Sequence, residues 1–176
     1  RHLPVHVFMV SSERLSHLPS WFVQLHDESL GKVDRQGQRV GTTAVPALGP
    51  KDQHAQVQLF REGPLDKLLA LVIPEAPLED VEIPEVGGLE AASYLFGKTL
   101  FQLLKAEAEA TYEALAEAGQ RVYAPLLPEG SPYAVGWLMQ HLMWQTAFLG
   151  ELWEVNAFDQ PGVELGKVLT RKRLAG

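Results

Sequence analysis

The stretch LLALVI, Leu68 to Ile73, decides the fold. A continuous apolar run of this length, bounded by Pro74, reads as a strand buried on both faces, the kind that lies inside a parallel sheet covered by helices. Working outward, VHVFMV at Val5–Val10 is β-branched and aromatic and reads as a second short buried strand. Between them, Ser20 is placed to cap a helix from Trp21 to about Leu30, ended by Gly31, and Lys51–Arg61 reads as a helix stopped by Gly63-Pro64. The intervening VDRQGQRVGTTAVPALGP reads as a loop with room for a short strand. Strands alternating with helices predict an α/β fold with a mostly parallel sheet.

Beyond the deciding strand, PEAPLEDVEIPEVGG is acidic and proline-rich, a surface connector. Leu89 to Ala118 reads as one helix of about eight turns ended by Gly119, within which Leu95, Phe96, Leu103, Leu104 and Leu115 supply the apolar stripe. Arg121–Ala124 reads as a further short strand. Ser131 or Pro132 opens a helix to about Val155 that carries Trp137, Trp144, Phe148 and Trp153, and a last helix spans Gly162–Lys172. The expected organisation is therefore 1–73, a strand and helix core; 74–155, a connector with long helices; and 156–176, a tight turn and terminal helix.

The composition removes several function classes. With 15 Lys+Arg against 22 Asp+Glu the net charge is -7, which argues against nucleic acid or an anionic membrane surface as partner. Cysteine is absent, so disulfides, thiolate nucleophiles and Cys-ligated zinc are excluded. No apolar run approaches the ~20 residues of a membrane-spanning helix. The mean hydropathy of -0.05 is that of an ordinary globular chain, and the expected compartment is the cytoplasm. Asn156 is the sole asparagine, a depletion in keeping with a thermophilic source. A chain that opens on Arg1 and runs straight into a strand pattern reads as part of a larger protein.

Nucleotide loops fail on spacing. Gly97-Lys98-Thr99 has the tail of a phosphate loop, but the glycine required five residues earlier is Ala92. The segment is also expected inside a long helix, where its N–H groups are used. The six histidines, His2, His6, His17, His26, His54 and His141, form no metal-binding pattern, so no metal and no cofactor is expected. Arg171–Arg173 reads as cations at a helix C-terminus.

Three segments place a reactive side chain at an element boundary: DESLGK with Glu28, KDQHAQ with His54, and NAFDQPGVELGK with Lys167. Together they offer a carboxylate base, an imidazole and an ammonium, a set suited to proton transfer on a carbonyl-type substrate. WFVQLHDESLGK, GTTAVPALGPKDQHAQVQLFREGP and NAFDQPGVELGK resemble, in order and rough spacing, successive motifs of the phosphoglucose isomerase family. Phe158 to Lys167 resembles that family's signature, an aromatic or aliphatic residue followed by Asp/Asn/His-Gln-x-Gly-Val-Glu-x-x-Lys.

The resemblance, which runs from near Val5 to the C-terminus, implies a three-layer αβα domain of the SIS type with additional C-terminal helices. It implies an aldose–ketose isomerase that interconverts glucose 6-phosphate and fructose 6-phosphate through a cis-enediol without a metal. Glu28 would move the proton between C2 and C1, and His54 and Lys167 would open the ring. Gln160 would hydrogen-bond the enediolate. It further implies a homodimer in which the histidine reaches the neighbouring subunit's site, and a chain that is the C-terminal portion, without the family's phosphate-binding Ser/Thr cluster and catalytic arginine. The contrasting expectation is a SIS-like module that binds a sugar phosphate or a protein partner without catalysis.

Overall fold

The computed structural model describes residues 3–175; Arg1, His2 and Gly176, and with them one of the six histidines considered above, lie outside the described residues. Seven strands and five α-helices follow in the order β1 (Val5–Val10), α1 (Leu18–Leu30), β2 (Lys32–Val33), β3 (Arg39–Val40), β4 (Thr43–Leu48), α2 (Gly49–Glu62), β5 (Lys67–Ala76), α3 (Leu100–Glu117), β6 (Arg121–Tyr123), β7 (Leu126–Glu129), α4 (Pro132–Leu152) and α5 (Pro161–Ala175). The main sheet runs β4-β1-β5-β6, every pairing parallel, and β7 takes over from β6 against the second half of β5. β2 and β3 form a small antiparallel hairpin of their own, its turn held by the Asp34 carboxylate accepting the Gln36 and Gln38 N–H groups.

Alternation along the central strands builds two cores. Phe8 and Val10 of β1 and Ala70 and Val72 of β5 face Leu18 and Phe22 of α1 and Leu138 and Leu142 of α4. Val7, Met9, Leu69 and Leu71 point the other way, onto Phe60 of α2 and Leu115 of α3. Both sheet faces are therefore covered, three layers deep, which is why β1 and β5 read as unbroken apolar runs rather than alternating ones. Each fully buried side chain of this kind contributes ~1.5–3 kcal/mol relative to exposure.

Several boundaries differ from the sequence reading. α1 starts at Leu18 rather than Trp21: Pro19 fits its first turn, and the buried positions are Leu18, Phe22, His26 and Leu30, so Ser20 lies within the helix and caps nothing. Pro74 does not end the deciding strand. β5 continues to Ala76 because Pro74 pairs with Leu127 of β7, an edge too short and too proline-rich to read in sequence. The loop after Gly31 holds a full parallel strand, β4, at the sheet edge, where Pro46 is tolerated.

The expected eight-turn helix is broken in two. Residues Glu90–Leu95 make a 3-10 turn, Gly97 takes φ 71, and α3 begins only at Leu100. Thr99 caps it, its hydroxyl accepting the Gln102 N–H while the Gln102 side chain accepts the Thr99 N–H. Gly97-Lys98-Thr99 thus lies in a turn, not inside a helix. Only its spacing, with Ala92 in place of a glycine, argues against a phosphate loop.

Candidate functional site

Glu28 occupies the last turn of α1. Because α1 runs back along the sheet, this turn lies at the edge where the strands begin, and two contacts fasten it there. The His26 Nε2 shares a 2.7 Å hydrogen bond with the Thr42 hydroxyl, and the Asp27 carboxylate accepts the Ala44 N–H at 3.0 Å, at the start of β4. His26 is buried, and burial pushes its imidazole below the ordinary histidine range against an opposing pull from Asp27.

The second wall comes from the other end of the chain. α4 finishes in a Schellman motif: the Val155 N–H returns to the Gly150 carbonyl and the Glu154 N–H to that of Glu151. Glu154 takes the left-handed conformation, φ 56, where a glycine is usual. The chain then makes a tight turn. The Asn156 side chain donates to Asp159 Oδ2 at 2.8 Å, and Asn156 Oδ1 accepts the Phe158 N–H at 3.0 Å. This turn delivers Gln160 to Glu28: Gln160 Nε2 donates to Glu28 Oε2 at 2.9 Å, between residues 132 positions apart.

Around that bond opens a cleft of about 730 Å³, lined among others by Glu28, Gly31, Lys32, Arg39, Asp159 and Gln160. Lys32 spans its base, donating to the Asn156 and Asp159 carbonyls and pairing with Asp159 Oδ1 at 3.0 Å. Hydrogen bonding to Lys32 holds the Asp159 carboxyl below the usual carboxylate range.

The other two sequence-derived site residues do not line this cleft. Lys167 sits seven residues beyond Gln160 on α5, about 10 Å along the helix, where its Nζ donates to Glu164 Oε1 at 2.7 Å. His54 is exposed in the second turn of α2, which starts at Gly49, two residues before the sequence reading. α2 follows the end of β4, whereas Glu28 lies beside its beginning. The six residues of β4 therefore put roughly 20 Å between the two groups within one chain. Lys32 and Arg39 line the cleft and were not assigned a role from sequence. Lys32 belongs to the quoted DESLGK segment, which was the available signal, whereas Arg39 arrives through a hairpin the sequence did not display.

A second cavity, about 290 Å³, opens near the ends of β1 and β5 against Ser11, Leu78 and Phe101 and holds none of the motif residues. No group of three or more metal-ligating side chains occurs among the described residues, and none of the described helices is long and apolar enough to cross a membrane.

A parallel α/β sheet covered on both faces, with a carboxylate and an amide from distant segments joined at its edge, defines a three-layer α/β domain with a cleft between the end of its first helix and the turn before its last. The phosphoglucose isomerase family model matches residues 2–175, and the chain belongs to that family. It is 98% identical over all its residues to a glucose-6-phosphate isomerase of Thermus thermophilus, of which it spans 42%. A glucose-6-phosphate isomerase of Carboxydothermus hydrogenoformans is 44% identical over 168 residues, 93% of this chain and 36% of that protein. Among solved structures, one described as a hypothetical protein from Thermus thermophilus superposes with a TM-score of 0.98 at 97% identity, over all of this chain and 42% of the other. A glucose-6-phosphate isomerase from Chlamydia trachomatis gives a TM-score of 0.79 at 22% identity, over 98% of this chain and 35% of that one, a likeness of fold.

Proposed function

We propose that this chain is the C-terminal, SIS-type portion of a cytoplasmic aldose–ketose isomerase that interconverts glucose 6-phosphate and fructose 6-phosphate, a step of glycolysis and gluconeogenesis. The observation that carries the reading is the hydrogen bond from Gln160 to Glu28 at the cleft, which unites two of the three motifs. In the isomerase reaction one group must take a proton from C2 of the aldose and return it to C1. A carboxylate can do both, and Glu28 fills that role. A cis-enediolate develops negative charge on oxygen, and the Gln160 amide, already beside Glu28, donates to it.

His54 serves ring opening by moving a proton between the ring oxygen and O1; Lys167, paired with Glu164 about 10 Å along α5 from Gln160, joins it at the ring oxygen once it leaves Glu164 for the bound sugar. The distance between His54 and Glu28 within one chain supports a homodimer in which His54 completes the partner's site. The phosphate grip and the arginine facing the enediolate come from the remainder of the full-length polypeptide, since this chain spans 42% of its curated relatives.

The deciding measurement is solvent exchange at C2 in the full-length polypeptide carrying Glu28→Gln. The amide keeps the shape but cannot accept a proton, so exchange and turnover should fall by at least the ~10²–10⁴ attributed to a positioned base, with sugar-phosphate binding nearly intact. Turnover close to that of the unsubstituted enzyme would remove Glu28 from the mechanism.

A further inference from the structure

We propose that Lys32 is a positioning residue: it grips the Asn156–Asp159 turn and so holds the Gln160 amide against Glu28. Lys32 lies four residues after Glu28, just past the reversal at Gly31, and its side chain is only 8% exposed. An ammonium that far out of water has to be matched by acceptors. All of its acceptors come from one place: the Asn156 carbonyl, the Asp159 carbonyl and Asp159 Oδ1. An ammonium has three protons, and here all are committed to a single turn more than 120 residues away in sequence.

An exposed surface pair would look different. It would join one carboxylate, keep most of the side chain in solvent and be of little consequence. Here two of the three contacts go to backbone carbonyls, so the grip fixes the path of the chain rather than one mobile side chain. Asp159 directly precedes Gln160, and any shift of the turn passes straight into the amide. The lowered pKa of Asp159 accords with this pairing. The turn's own bonds, from Asn156 to Asp159 and to the Phe158 N–H, fix its shape but do not place it relative to α1. Gln36 Nε2, donating to Glu154 Oε2 at 2.6 Å, adds a tie just before the turn, but among the described residues Lys32 is the side chain from the α1 side that bonds the Asn156–Asp159 turn itself.

The kinetic part of this proposal rests on the isomerase reading; the grip does not. Lys32→Met in the full-length polypeptide should lower kcat by ~10- to 100-fold while KM moves far less, because a misplacement of ~1 Å costs that order in rate. Combined with Gln160→Ala, it should cost no more than Gln160→Ala alone, since Lys32 acts through that amide. Unchanged kcat, or losses that multiply, would overturn the proposal. If Lys32→Met does not fold, Lys32→Gln, which keeps a polar donor but cannot make all three contacts, is judged by the same two criteria. Hydrogen exchange read by mass spectrometry gives an arm independent of catalysis. The peptide spanning residues 153–163 should exchange faster in Lys32→Met with the sheet unchanged, and unaltered exchange there would refute the grip. If the unsubstituted full-length polypeptide does not isomerise glucose 6-phosphate yet this peptide loosens in Lys32→Met, the isomerase reading fails and the role of Lys32 in the turn stands.

Discussion

His6 illustrates how one residue can be set wholly by its surroundings. It alternates with Val5 and Val7 on β1, is 3% exposed, and meets the Tyr123 hydroxyl at 3.1 Å and the edges of Phe22 and His26. Burial first, and then the neighbouring His26, push its pKa from 6.5 down to about 4. Between those values the unfolded chain binds a proton that the folded chain refuses. The contribution to stability is therefore whole above pH 6.5 and is lost as the pH falls toward 4. At about 1.4 kcal/mol per unit the loss is on the order of 3 kcal/mol. Denaturant midpoints at pH 7 and pH 4.5 should show that drop, and His6→Leu should flatten it. An equal drop in the variant would assign the effect to other groups, the buried His26 foremost.

At the scale of elements, the ends of α3 and α4 make an instructive pair. Both close in Schellman motifs: Gln120 returns to Leu115 and Gly119 to Ala116 in one, Val155 to Gly150 and Glu154 to Glu151 in the other. The first uses Gly119 at φ 78, a stop that the sequence announces. The second puts Glu154 in the same conformation, and the sequence reading accordingly ran α4 to about Val155. Gly150 explains why the second ending must be where it is. A Cβ there would meet the Ala157 Cβ at 2.8 Å, so the helix and the turn toward Gln160 pack without room for a methyl group. Gly150→Ala should thus destabilise by ~1–3 kcal/mol, although alanine is the better helix former, because overpacking outweighs propensity. Thermal unfolding of the variant checks the sign. A gain in stability would show that the turn is free to move away.

For the whole molecule, the faces left open matter most. α4 buries Leu138, Leu142 and Thr146 yet leaves Trp137, Trp144 and Phe148 half or more exposed, with Trp144 stacked on Phe148 at 5.9 Å. α5 buries no residue at all. The 176-residue chain on its own should therefore self-associate, visible as concentration-dependent sedimentation. It should also fail to turn over glucose 6-phosphate in a coupled assay, because positioning by the phosphate is worth up to ~7–11 kcal/mol. Robust activity of that chain alone would mean the site has been misplaced. The dimer reading has its own test. Full-length Glu28→Gln and His54→Ala, each inactive, should on subunit exchange recover about a quarter of normal activity, since half the chains pair unlike and each such pair holds one intact site. No recovery would place His54 outside the partner's site.

Local chemistry alone determined much of this protein. The apolar runs of β1 and β5 named a sheet buried on both faces, because a strand in that position has no solvated side on which to place polar residues. Gly63-Pro64 and Gly119 marked helix ends through their own backbone preferences, whereas Glu28, His54, Gln160 and Lys167 were marked by the resemblance of three motifs to a known family rather than by local chemistry. What needed the third dimension were features held by contacts far apart in the chain. β7 exists because β5 offers it unpaired backbone. α1 begins at Leu18 because Leu18 and Phe22 have a core to enter. Only the break at Gly97 had a legible sign, Thr99 followed by Gln102, since a capping box is local. The site divides in the same way. Residue types that can move a proton are visible in a sequence, but whether Gln160 reaches Glu28 depends on the chain path between them, which Lys32, Glu154 and the sheet edge fix together.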